Sequence, residues 1–378
     1  MREREYGVDL FRIMGLLFVN GVHACLYNGF YSEVQQGGMM LFANSFRWLF
    51  YGCNAMFMLM TGYLKSGSKW GKGYYKSLVA VIVGYILTCL ITYPIRYHFL
   101  NEKLSLETWT KMFFTFSNYA WYVEMYIGLF LLSPILNMAV NSIQDNKKLF
   151  WLVITMVCIT SLPAELKVKG PDGNYALIPD YWSSLYPVTL YLIGAVIRKT
   201  KPNVPRWVGL SVAAAVAVGL GLTSLFTATK GFSSGYTQGY GGFWIMIMVT
   251  GLFLGIYNLN IPKPLGKTLA FFSGGVFEGY ILSRLFDVWI YSPNSYKTWN
   301  GGILAPLGEL VAKWHDPRYY LLMFLCITIP VFLISLTAGK VVNTLSGRIT
   351  KGLYWIKDTM AMAIREAFFK EKATEQKQ

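Results

Sequence analysis

Residues 8–27 read VDLFRIMGLLFVNGVHACLY, from Val8 to Tyr27. A helix needs about 20 mostly apolar residues to cross the hydrocarbon core of a bilayer, and this run supplies them. Beyond Asp9 at its start, an arginine and a histidine interrupt it, Arg12 and His23. Eleven positions separate them. At 3.6 residues per turn that is about three full turns, so both project from nearly the same face, about 16 Å apart along the axis. Ionisable groups at such depth are costly and face a protein interior or a wet cavity rather than lipid. The face carrying Arg12 and His23 is the expected axis of a functional site.

The remainder of the chain repeats the apolar pattern. Of 378 residues 54% are hydrophobic and only 14% charged, where a soluble domain carries about 25% charged residues. Mean hydropathy is +0.40. The apolar residues cluster in long runs, which implies an all-α, polytopic helical membrane bundle without a sizeable soluble module. About ten transmembrane helices are expected, near Val8–Tyr27, Asn44–Leu64, Ser77–Pro94, Ala120–Val140, Leu149–Leu162, Tyr181–Ile197, Trp207–Phe226, Phe243–Leu259, Thr268–Tyr291 and Arg318–Val342. A short interfacial helix is expected around Leu106–Phe116. The first run has no small-residue cleavage site after it and reads as an uncleaved span. Membrane domain 1–346 is followed by a basic amphipathic tail, 347–378, in which Trp355, Ile356, Met360, Ile364 and Phe368 recur at helical steps suited to a membrane surface.

The net charge of +15 does not signal nucleic acid. Lysines and arginines sit in short loops and in the tail, concentrated on the side that holds both termini, which the positive-inside bias places in the cytoplasm. Arg12 then lies near the cytoplasmic face and His23 in the outer half. Five cysteines, Cys25, Cys53, Cys89, Cys158 and Cys326, fall in or beside apolar runs without metal-ligand spacing and read as buried free thiols.

Several side chains have the chemistry for a site. An imidazole titrates near pH 6.5 and suits a general base, and apolar surroundings hold it neutral and ready to accept a proton. The bland account of His23 is a buried side chain bonded to a neighbouring helix. Arg12 suits phosphate, although Asp9, one turn earlier, offers an ordinary pairing partner. Glu124, in the run Tyr119 to Tyr126, reads as a carboxylate that orients His23 or as a structural or wet surface group. Trp121 and Tyr122 read as an interfacial aromatic belt. Arg284 and Asp287 are spaced to pair, while Glu278 has no evident partner and is a candidate cavity residue. Lys65, Lys69, Lys72 and Lys76 form the best place for an anionic headgroup, or mark topology alone. No phosphate-loop, dinucleotide-binding, metal or serine-elbow motif is present.

Taken together these residues resemble the membrane-bound acyltransferase 3 family. The likeness starts at Val8-Asp9-Leu10-Phe11-Arg12 and continues through ten residues to His23, similar to the family's arginine–histidine signature. It is carried further by Met56 to Leu64, similar to the "FFxxSGY" segment with Thr61 for the usual serine, and by Trp121-Tyr122 through Leu132-Ser133-Pro134. The resemblance implies movement of an acyl group, most often acetyl from acetyl-CoA, to a hydroxyl of an extracytoplasmic or lipid-linked sugar or glycan. It implies His23 as the catalytic histidine and Arg12 as its signature arginine. The arginine pair that opens the family's third helix is replaced here by Lys69, Lys72 and Lys76, which bind phosphate as point charges without the bidentate fork. The fused soluble domain that some members carry is not expected in these 378 residues.

The expected function is thus an integral O-acyltransferase of the plasma membrane. Its catalytic set is His23, Arg12 and Glu124, and its acyl-CoA contacts are Arg12, Lys69, Lys72 and Lys76. Partners are acyl-CoA, a glycan or sugar hydroxyl and membrane lipid, without metal or nucleic acid, and a homodimer is compatible with the chain. A transporter of a small polar metabolite or amino acid is the alternative, since intramembrane Arg, His and Glu also mark substrate paths. Against it, the spans show no paired repeat and no matched broken helices.

Overall fold

The structure is a computed structural model. It describes all residues except 1–3, 28–29, 33, 69, 100–104, 116–119, 166, 171–172, 230, 235–238, 292–321, 323 and 376–378. Apart from one small hairpin, the regular secondary structure of the described residues is helical. In chain order these are α1 (Tyr6–Tyr27), α2 (Gly37–Tyr51), α3 (Cys53–Lys65), α4 (Lys72–Phe99), α5 (Leu106–Thr110), α6 (Trp121–Ser142), α7 (Asn146–Thr160), α8 (Leu162–Glu165), α9 (Tyr186–Thr200), α10 (Arg206–Thr227), α11 (Phe243–Ile256), α12 (Lys263–Ser273), α13 (Val276–Tyr291) and α14 (Ile329–Glu375). Between α8 and α9, strands Lys167–Gly170 and Gly173–Ala176 pair antiparallel.

Among the described residues five helical segments are long and apolar enough to cross a membrane: Tyr6–Leu26, Gly73–Ile95, Trp121–Ser142, Arg206–Thr227 and Phe324–Met362. Two of the expected single spans are each broken in two. Asn44–Leu64 becomes parts of α2 and α3, parted at Gly52, where a Cβ would stand 2.8 Å from Val249 Cγ2. Thr268–Tyr291 becomes parts of α12 and α13, parted at Gly274–Gly275, and a Cβ on Gly275 would overlap the Lys340 backbone. Hydropathy averages over such breaks because the glycines are themselves weakly apolar. At the other end, α14 runs 47 residues without a break between 346 and 347. Its length is about 70 Å, more than twice the hydrocarbon thickness, so the tail continues the last helix instead of forming a separate one. The predicted Leu106–Phe116 helix is α5 followed by a π-helical turn, Lys111–Thr115.

Within lipid, apolar burial alone does not bring helices together, and close backbone packing at small residues does. Three contacts use this device. Gly62 on α3 and Gly194 on α9 face each other's helix so closely that a Cβ on either would overlap the carbonyl oxygen of Tyr191 or Leu59. Gly209 on α10 meets Gly251 and Gly255 on α11, and Gly339 on α14 meets Gly275 and Gly279 near the start of α13. Against this frame α1 packs on α2, α3, α11, α12, α13 and α14. Phe11 and Leu16 are wholly buried, and the Phe11 ring stands edge-on to Phe253 at 4.9 Å. The helix bearing Arg12 and His23 is thus an interior helix, as their cost in lipid requires.

Candidate active site

At the start of α1 the electrostatics are sorted into two groups. Asp9 does not pair with Arg12. Its carboxylate accepts two hydrogen bonds from Arg4, Nε to Oδ2 at 2.7 Å and Nη2 to Oδ1 at 2.8 Å, and a third from Ser273 Oγ at 2.6 Å. The bidentate fork is the strong geometry for such a pair, and it leaves Arg12 without an ion-pair partner among the described residues. Next to it, Glu5 accepts from Tyr63 Oη at 2.7 Å and Arg198 Nη1 at 2.6 Å, and from Lys201. Burial pushes the Glu5 carboxyl up, but the bonds from Lys201 and Tyr63 and the Arg198 charge outweigh it, so it sits below its ordinary range. These contacts tie the N-terminal segment to α3 and α9.

Arg12 instead lines a cavity of about 200 Å³. Lys65, at the end of α3, lines the same cavity. Its Nζ donates to Ser77 Oγ at 3.2 Å and lies 5.4 Å from the Phe130 ring centre, with no carboxylate partner among the described residues. Two unpaired cations therefore share one void at the α1 N-terminal end. The wall is aromatic, with Tyr122 and Tyr126 from α6 and Tyr280 from α13. Asn54 and Thr61 on α3 add polar groups. Along α1 the cavity reaches Val19, two turns above Arg12 on the same face. His23 is the next residue on that face, half-buried, one turn beyond the lining.

The other expected site residues fall differently. Glu124 is exposed. The cavity takes Tyr122 and Tyr126 from either side of it in sequence, and α6 turns Glu124 off that wall. Lys76 is exposed with Nζ 5.1 Å from the Tyr354 ring centre, and is not in the cavity wall. Lys69 and the Lys72 side chain lie outside the described residues, as does the Asp287 side chain of the expected Arg284 pair. Glu278 is 3% exposed and accepts from Asn343 Nδ2 at 3.0 Å, while its flanking Phe277 and Tyr280 face the cavity. Of the five cysteines, all free, Cys25, Cys53 and Cys89 are buried and Cys326 is exposed. Among the described residues no cluster has the ligand set for a metal.

Sequence reasoning placed Lys65 in a basic cluster but did not single it out, and it set Trp121 and Tyr122 in an interfacial belt. Tyr122 is in fact 7% exposed. A signal existed for both. Lys65 ends an apolar helix, and Tyr122 and Tyr126 are four apart and share a face.

No curated protein and no solved structure matches the chain. The acyltransferase 3 family model, described as an acyltransferase domain, matches residues 5–340. That span holds α1 with Arg12 and His23, every residue of the cavity wall and the apolar helices as far as the first turns of α14. The match covers most of the chain, and the chain belongs to the acyltransferase 3 family of membrane acyltransferases.

Proposed function

We propose that the protein is an O-acyltransferase of the plasma membrane that takes an acyl group, most often acetyl, from cytoplasmic acyl-CoA. The acceptor is a hydroxyl of an extracytoplasmic or lipid-linked sugar. One observation carries the reading: the cavity has two cations without a carboxylate partner among the described residues, Arg12 and Lys65, at one end and follows the α1 face to Val19, one turn short of His23. Both termini lie in the cytoplasm in this reading, and about ten helical passes include the broken pairs α2–α3 and α12–α13.

A void of about 200 Å³ is smaller than the usual site for a drug-sized ligand, which spans about 300–1,000 Å³. It suits the thin thioester-bearing arm of the donor, with the nucleotide outside. Arg12 and Lys65 hold donor phosphates at the mouth, and Lys69, Lys72 and Lys76 add positive potential on the same side. The tyrosine wall excludes water from the thioester. At the far end a His23 ring nitrogen takes the proton of the acceptor hydroxyl as its oxygen attacks the acyl carbonyl carbon. The carbon–sulfur bond then breaks, the thiolate of CoA leaves, and the imidazolium returns the proton to sulfur.

The test is His23→Ala in full-length protein. General-base catalysis contributes about 10²–10⁴-fold, so acyl transfer falls by that factor while acetyl-CoA binding persists. Transfer at the wild-type rate would remove His23 from the chemistry.

A further inference from the structure

A further cation is buried in the bundle, and the reaction outlined above does not use it. Arg47 on α2 is 6% exposed. Its guanidinium carbon lies 4.3 Å from the Trp48 ring centre, 4.3 Å from Tyr51, 4.4 Å from Phe232 and 5.4 Å from Tyr31. Nε donates to Tyr31 Oη at 3.2 Å. Nη1 is sealed from solvent and has no acceptor. An arginine keeps its charge at any working pH, and no carboxylate pairs with this one among the described residues. Ring faces attract the cation but do not satisfy its N–H groups. One turn earlier on the same helix, Asn44 is wholly buried, and both its amide oxygen and amide nitrogen are without partners.

The place of this cluster is specific. Tyr31 follows Phe30, which packs on Ala24 and Cys25, the two residues after His23. Arg47 therefore belongs to the His23 end of the molecule, opposite the Arg12 and Lys65 end. From it a row of aromatic rings leads outward: Tyr51 stacks on Tyr240 at 4.2 Å, and Tyr240 on Trp121 at 5.4 Å. Trp121 is 39% exposed. Its chain neighbour Tyr122 lines the donor cavity, so the first turn of α6 touches both places.

We propose that Arg47 and Asn44 form an acceptor subsite for an anionic sugar, one whose ring carries a carboxylate or phosphate. An unpaired planar guanidinium selects an oxyanion. The unpartnered amide supplies N–H donors and a carbonyl acceptor for ring hydroxyls, and the exposed Trp121 at the end of the ring row offers a flat face to the sugar. The subsite deepens the acyltransferase reading by giving its acceptor a charge, and rests on that reading for the direction of transfer.

The experiment uses the full-length protein purified in detergent and follows its melting temperature with D-glucuronate, D-glucose 6-phosphate, neutral D-glucose and acetyl-CoA. At least one anionic sugar raises the melting temperature of the wild type at millimolar concentration where glucose does not. Arg47→Gln weakens that response at least tenfold, and the acetyl-CoA response is retained. Arg47→Lys, which keeps the charge and loses the fork, and Asn44→Leu each give a weaker response, and they carry the test if Arg47→Gln does not fold. The proposal is overturned if charged and neutral sugars act alike on the wild type. It is equally overturned if the folded Arg47 variants melt lower but answer the anionic sugar as the wild type does, which makes the cage structural. Loss of the acetyl-CoA response in the wild type would count against the donor reading instead.

Discussion

Arg12→Gln separates phosphate recognition from catalysis. The side chain lines the α1 cavity and has no ion-pair partner among the described residues, so its removal does not strand a carboxylate. Asp9 keeps Arg4 and Ser273. The melting temperature should hold or rise, since a poorly compensated cation leaves the interior. Donor binding should fall. A hydrogen bond to a charged group contributes about 1.5–3 kcal/mol, and each 1.4 kcal/mol is a factor of ten. The expected loss in affinity for acetyl-CoA is therefore about 10–150-fold. Lys65→Gln should lose less, because a lysine meets phosphate as a point charge. The double variant should fall short of the product of the two, as happens when neighbouring groups share one partner. The assay is initial-rate acyl transfer with two donors, acetyl-CoA and S-acetyl-pantetheine, which has the same thioester without phosphate. Arg12→Gln should raise KM for acetyl-CoA and leave kcat/KM for S-acetyl-pantetheine near the wild-type value. An equal loss with both donors would show that Arg12 acts on the thioester or on the fold, and the phosphate argument would be wrong.

Other outcomes follow from the packing and the charges. Gly62→Val should cost about 3 kcal/mol or more, because its Cβ would overlap the Tyr191 backbone and neither helix has room to move; yield of folded protein and melting temperature report it. Acidification should release the N-terminal clamp. The Glu5 carboxyl is lowered in the folded protein, so its stabilising effect is complete above the unfolded value near pH 4.3 and disappears as pH falls through the folded value. Melting curves across that window should drop more steeply for the wild type than for Glu5→Gln. Asp9→Asn should destabilise by about 1–3 kcal/mol by weakening the bidentate Arg4 pair at a 7% exposed position, while acyl transfer with S-acetyl-pantetheine continues in the folded fraction.

The sequence by itself determined that the protein is a membrane bundle and which face of its first helix matters. Length and hydropathy are properties of consecutive residues, and Arg12 and His23 share a face through helical geometry alone, before any neighbour is known. Family membership was also legible, because its most specific residues lie close together in that helix and in Met56 to Leu64. Only the tertiary structure decided the pairings. Asp9 is one turn from Arg12, and local spacing favoured their contact. Arg4 and Ser273 take Asp9 instead, and Ser273 comes from α12, 264 positions away. That exchange is what frees Arg12 for the cavity. Lys65 joined it because α3 ends beside α1, and Tyr122 turned inward because α6 packs its first turns against the same void. Which charges remain unpaired depends on all neighbours at once, and in a low-dielectric interior an unpaired charge marks where a ligand of opposite sign belongs.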